Sequence, residues 1–234
     1  RTNHTESYNS LKNNFPALSC FDLLEDDNGE IWSATPNGLL LFDKKENKFV
    51  SRKWFNEVRF NFVYCLLQES SDYLWVGTRR YGLYKLNKKD KKLEKINFDT
   101  NTVEFITHLF LDSKRNTWVS TNNEGVYVFD REGNIIKKYS MNNGLPSNAI
   151  KAIAEDRDNT IWISTAYGLC SLNPENEKIE IYTVNDGLPV NQFNYSSVYR
   201  TDNGFLYFGT INGMISFVPE HMLKDTKKSF KVQI

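Results

Sequence analysis

The chain has no apolar run approaching the ~20 residues that cross a bilayer as a helix, and no charged-then-apolar leader opens it. Any signal peptide or membrane anchor is expected in segments outside it. It also has no excess of charge: 29 basic residues face 29 acidic ones. That balance leaves no electrostatic footprint for DNA, RNA or an anionic membrane, so nucleic acid is excluded as an expected partner. Cysteine is scarce, with only Cys20, Cys65 and Cys170, an odd number without metal-ligand spacing. Neither a disulfide framework nor a zinc site is indicated, and the three read as small buried apolar residues. The histidines, His4, His108 and His221, are far apart, and no nucleophile-elbow, phosphate-cradling or metal motif occurs. No cofactor is implied.

What is present is a repeat. Residues 160–184 hold an aromatic-centred strand (Ile161 to Thr165), a tight connection at Gly168, a second strand to Leu172, a polar turn and a third strand from Ile179. Trp32, Trp75, Trp118, Trp162 and Tyr207 fall in one register at steps of 43, 43, 44 and 45 residues. Three residues on stand Thr35, Thr78, Thr121, Thr165 and Thr210, followed by Gly38, Gly82, Gly125, Gly168 and Gly213. A period of this length built from short strands predicts one four-stranded sheet per repeat, the blade of a β-propeller. Helical repeats would place apolar residues at i, i+3, i+4, and these do not. The remaining strand precedes each aromatic, at 19–25, 63–68, 106–111, 150–155 and 195–200. The tryptophans are expected as core between neighbouring blades.

The expected fold is all-β, about five four-stranded antiparallel blades at 18–54, 62–99, 105–141, 149–185 and 194–218. Residues 1–17 read as a remnant of a fourth strand, and 219–234 as a tail leading to a following domain. The leftovers at the two ends allow two readings: the N-terminal strand completes the last blade of a closed five-bladed ring, or the chain is a segment of a larger propeller.

In an up-and-down blade with strands a to d, the b–c and d–a loops share one face. The opposite face carries interchangeable polar turns, such as Asp26 to Gly29 and Asp112 to Arg115, which solvation explains. The first face is less uniform and supplies the ligand-binding candidates: Arg79, Arg80, Tyr81, Asn122, Asn123, Glu124, Tyr167 and Asn212 from b–c loops, with Trp54, Asn191, Gln192 and Asn194 from d–a loops. Amides, an arginine pair and aromatic rings suit a sugar, whose hydroxyls need planar donors and acceptors and whose apolar faces stack on rings.

Asp27-x-Gly29-x-x-Trp32, echoed before Trp162, resembles the Asp-box of sialidase propellers, a turn device distant from chemistry. Acidic a–b loops offer no complete Ca²⁺ ligand set, so no metal is expected. His108 occupies a slot ten residues before the aromatic, held elsewhere by Asp22, Cys65, Ala152 and Ser197, and reads as channel lining. Glycoside hydrolysis needs two positioned carboxylates, and the acids here fall into repeated turns, so no catalytic residue is assigned and the segment is expected not to be an enzyme.

The aromatic-x-Gly/Ser-Thr step, the Gly-Leu that follows and the linkers Asn143-Gly144-Leu145-Pro146 and Asp186-Gly187-Leu188-Pro189 resemble the two-component regulator propeller repeat. That resemblance implies the periplasmic sensor region of a hybrid two-component system histidine kinase. It implies an oligosaccharide ligand, self-association with another copy, and a membrane link only through other segments. The alternatives are an interaction scaffold or, less favoured, a glycan-active propeller enzyme.

Overall fold

Short β-branched and aromatic runs punctuated by Gly, Asn and Asp have the chemistry of strands joined by tight turns. The computed structural model describes residues 19–51, 62–100, 102–224 and 230–233. It shows five four-stranded antiparallel blades of the β-propeller class, in two compact units divided after Asn97.

The first unit contains β1 (Asp22–Glu25), β2 (Ile31–Thr35), β3 (Gly38–Asp43) and β4 (Lys48–Val50), then β5 (Val63–Gln68), β6 (Tyr73–Thr78), β7 (Leu83–Asn87) and β8 (Lys92–Ile96). The second contains β9 (Ile106–Leu111), β10 (Thr117–Thr121), β11 (Val126–Phe129) and β12 (Ile135–Tyr139); β13 (Ile150–Glu155), β14 (Ile161–Thr165), β15 (Gly168–Leu172) and β16 (Ile179–Tyr182); and β17 (Phe193–Arg200), β18 (Leu206–Thr210), β19 (Gly213–Phe217) and β20 (Lys231–Gln233). Among the described residues one short α-helix, α1 (Pro219–Lys224), accompanies them.

Strands pair in sequence order within each sheet. The fifth blade takes its fourth strand, β20, from the stretch expected as a tail, where a three-residue strand after a helix leaves little pattern to read. The N-terminal stretch 1–17, expected as a strand remnant, lies outside the described residues.

The core lies between blades. In the first unit Trp32, Ala34, Leu39 and Leu41 of one blade meet Val63, Leu66, Leu74 and Val76 of the next. In the second, Trp118 stacks on Tyr139 in one cluster shared with Ile153 and Ile163, and Trp162 packs on Tyr182 and Phe217. The four repeat tryptophans, Trp32, Trp75, Trp118 and Trp162, are buried, as the repeat predicts. Each buried side chain removes area worth roughly 25 cal/mol per Å², so the inter-blade seams are the main source of stability. Cys65 and Cys170 belong to this interior, but Cys20 is exposed, contrary to the expectation for all three; its Sγ lies against Ser33 Oγ of β2. All three are free thiols.

Candidate functional site

The repeated Thr and Gly close the b–c loops. Each Thr hydroxyl donates to the Gly carbonyl that follows, from Thr35 at 2.7 Å to Thr210 at 3.0 Å, and accepts a backbone N–H from within its loop. Gly is required at Gly125, where φ is +84° and a Cβ would stand 2.1 Å from the Tyr139 carbonyl. The Gly-Leu-Pro linkers are equally structural. Ser140 and Thr183 cap single 3-10 turns reciprocally with Asn143 and Asp186, Gly144 and Gly187 end those turns in the left-handed region, and Leu145 and Leu188 enter the core.

Loops fixed in this way set where the candidates stand. Arg79, Arg80 and Tyr81 are exposed on the first unit, with the Arg80 guanidinium 4.9 Å from the Phe62 ring centroid. Trp54 lies outside the described residues. The other candidates belong to the second unit, where several are held by the fold. Asn191 Oδ1 accepts the Val184 N–H at 2.9 Å while its carbonyl accepts that of Gly168; Asn194 donates to Thr210 O, and Asn123 to Thr102 O. Gln192 contributes its carbonyl to Ile211 N–H, and Asn212 its own N–H to Thr210 Oγ1. Glu124 accepts from Thr102 and pairs with Lys138; the Thr102 bond first, then Lys138, holds its carboxyl below the usual value. Tyr167 is 70% exposed.

Asn122 leads to a group that sequence reasoning missed. The pairing of β17 with β18 jumps between Phe193 and Val198, leaving a bulge in which Ser196 has φ +49°. The bulge carries Tyr195 across to Asn122, to which its hydroxyl donates at 2.7 Å, and Ser196 Oγ to the Thr107 carbonyl. The Tyr195 ring lies 5.4 Å from Phe105, and Lys151 Nζ stands 3.7 Å from its centroid. The signal was the extra length between Phe193 and Tyr207, visible once strands are counted back from the aromatic.

At the other end the a–b turns hold a repeated clasp. The aspartate six residues before the tryptophan accepts its indole N–H: Asp26 from Trp32 at 3.0 Å, Asp112 from Trp118 and Asp156 from Trp162 at 2.8 Å. Asp26 therefore has the role that the sequence pattern gave to Asp27. Burial pushes the Asp156 carboxyl up; for Asp26 burial acts the same way, but bonds from Lys88 Nζ at 2.5 Å and from the Trp32 indole outweigh it and leave the carboxyl low. Two residues of the slot read as channel lining also join blades. Asp22 Oδ2 accepts the Leu66 N–H at 2.8 Å and His108 Nδ1 that of Ile153 at 3.1 Å, each from the next blade. Burial lowers His108 to about 4, so its ring is neutral at pH 7.

A cavity of about 610 Å³ opens at this end of the second unit, between the ends of β9 and β17 and the turns after β9 and β13. Among the described residues no group of three or more His, Cys, Asp or Glu is placed to hold a metal ion, and no helix is long and apolar enough to cross a membrane.

No curated protein matches the chain in sequence. Among solved structures it is similar to a protein described as the extracellular domain of the hybrid two component system BT3049 from B. thetaiotaomicron, with a TM-score of 0.76 and 23% identity over 92% of this chain and 28% of that one. The corresponding domain of BT4673 gives 0.73 and 23% over 91% and 27%. Virginiamycin B lyase from Staphylococcus aureus gives 0.67 and 13% over 95% and 70%. These likenesses show the fold, and the chain spans under a third of the length of the first two. The family model described as two component regulator propeller matches residues 57–80 and 144–167, so two of the five repeats carry the mark of that repeat family.

Proposed function

We propose that this chain is the extracytoplasmic, periplasmic ligand-sensing segment of a hybrid two-component signalling protein, that its ligand is an oligosaccharide, and that it catalyses no reaction. The observation that carries the reading is the regulator-propeller match on two repeats within a chain whose blades superpose on extracellular domains of such systems. Rigid blades with ordered, uneven loops suit recognition: Arg79, Arg80 and Tyr81 offer forked donors beside a ring, and Tyr167 an exposed one. A stiff repeat module transmits binding by shifting whole bodies, here one copy of the sensor against another, and the ligand must favour one arrangement over the other.

The test is a thermal-shift and glycan-array screen with oligosaccharides, followed by light scattering. An oligosaccharide that raises the melting temperature and changes the association of copies supports the proposal. A complete absence of glycan binding, or release of cleaved product, overturns it. Arg79→Ala with Arg80→Ala should weaken binding about tenfold, near 1.4 kcal/mol, while the melting temperature stays nearly constant.

A further inference from the structure

The a–b turns look from sequence like interchangeable solvated loops, yet two of them wall the cavity of about 610 Å³ in the second unit. Its volume falls within the ~300–1,000 Å³ of small-molecule pockets. The wall is sorted by hydrogen-bonding character. Its three carboxylates are already engaged. Asp112 accepts from Asn116 and Trp118; Glu155 accepts the N–H and hydroxyl of Ser113, both at 2.8 Å; Asp156 accepts from Asp158, Thr160 and Trp162. These acids close their own turns and seams.

What the wall offers in addition is donors. Arg115, Arg157 and Arg200 all line it. Arg200 is oriented by its Nη1, which donates to the carbonyls of Glu155 and Asp156 at 3.1 and 3.3 Å, and Arg157 by a bond to Asp202 O. A guanidinium has five N–H donors, so these bonds orient Arg157 and Arg200 without exhausting their forks. His108 accepts a backbone N–H at Nδ1, which puts the proton of its neutral ring on Nε2 and makes it a further donor. Tyr199, on the same strand as Arg200, lines the cavity with 67% of its surface exposed.

We propose that this cavity binds a ring-bearing carboxylate of the uronate type, its carboxylate and hydroxyl oxygens taken by the guanidinium forks and His108, its ring face laid on Tyr199. Planar forks match a carboxylate two bonds at a time, and a phenol ring covers the apolar face of a pyranose. The site is at the end of the blades opposite the b–c loops, so it does not depend on the loop-face reading.

Calorimetric titration of the chain with digalacturonate, and with neutral galactobiose as its uncharged counterpart, tests this. The expected result is binding of digalacturonate at least about tenfold tighter than galactobiose, weakening as salt is raised. Tyr199→Ala and Arg157→Gln should each lower that affinity about fivefold or more with the melting temperature held, whereas Arg79→Ala with Arg80→Ala should leave it unchanged. Undetectable binding at millimolar digalacturonate, equal binding of galactobiose, or a loss that follows the loop-face variant and spares Tyr199→Ala would each overturn the proposal.

Discussion

The Asp26–Trp32 clasp of the first blade and the Asp156–Trp162 clasp of the fourth have the same geometry and opposite electrostatics. Each aspartate is 4% exposed, and its carboxylate accepts one indole N–H and two backbone N–H groups of its own turn. Only Asp26 also receives an ammonium, from Lys88 of the next blade. Its carboxyl is held low, while burial raises that of Asp156. Desolvation with the neighbouring Asp158 charge wins at Asp156, whereas at Asp26 the Lys88 cation and the indole bond outweigh burial.

Removing the carboxylates should separate the two sites most. Asp26→Ala leaves the Lys88 ammonium buried without its counter-charge and should cost about 3–5 kcal/mol in denaturant unfolding. Asp156→Ala leaves only neutral donors and should cost about 1–3 kcal/mol. Similar losses at both would show that the indole bond, not the ion pair, dominates.

The pH dependence sharpens the contrast. Asp156, raised above 3.8, favours the folded state once protonated, so its contribution is present at low pH and is lost as pH rises through its folded value. Asp26, lowered below 3.8, stabilises above that value and loses its contribution as pH falls through its folded value. Stability measured from pH 7 downward should therefore fall less on the acid side in Asp26→Asn, and should lose part of its gain in Asp156→Asn. The smallest change, Lys88→Met, should make Asp26 behave like Asp156: its carboxyl, followed by NMR titration, should move from below the ordinary value to above it.

The blades were legible because five copies share one register, and register is what a strand pattern encodes. The clasp was half legible. Aspartate stands six residues before tryptophan in three repeats, but Glu69 and Thr201 occupy the slot in the others, and the neighbouring Asp27 fits a better-known pattern. The loop face was legible as composition and not as availability: Asn191 and Asn194 have the residue type of a sugar site, yet their side chains bond backbone groups within 2.8–2.9 Å. The donor-lined cavity could not be read at all, because Arg115, Arg157 and Arg200 belong to three repeats and meet only once the blades are stacked.

The bulge in β17 changes how the second unit should come apart. A stack of repeats joined only to its neighbours behaves as a one-dimensional chain, in which an end unit can melt while the rest persists. Here Tyr195 and Ser196 of the fifth blade bond Asn122 and Thr107 of the third, across 73 and 89 residues, past the blade between them. Losing the fifth blade therefore breaks a brace on the third as well as a seam on the fourth. Such cross-bracing turns a sequence of local openings into one cooperative transition, and it makes the terminal blade of this unit a stabiliser of residues it does not adjoin in the chain.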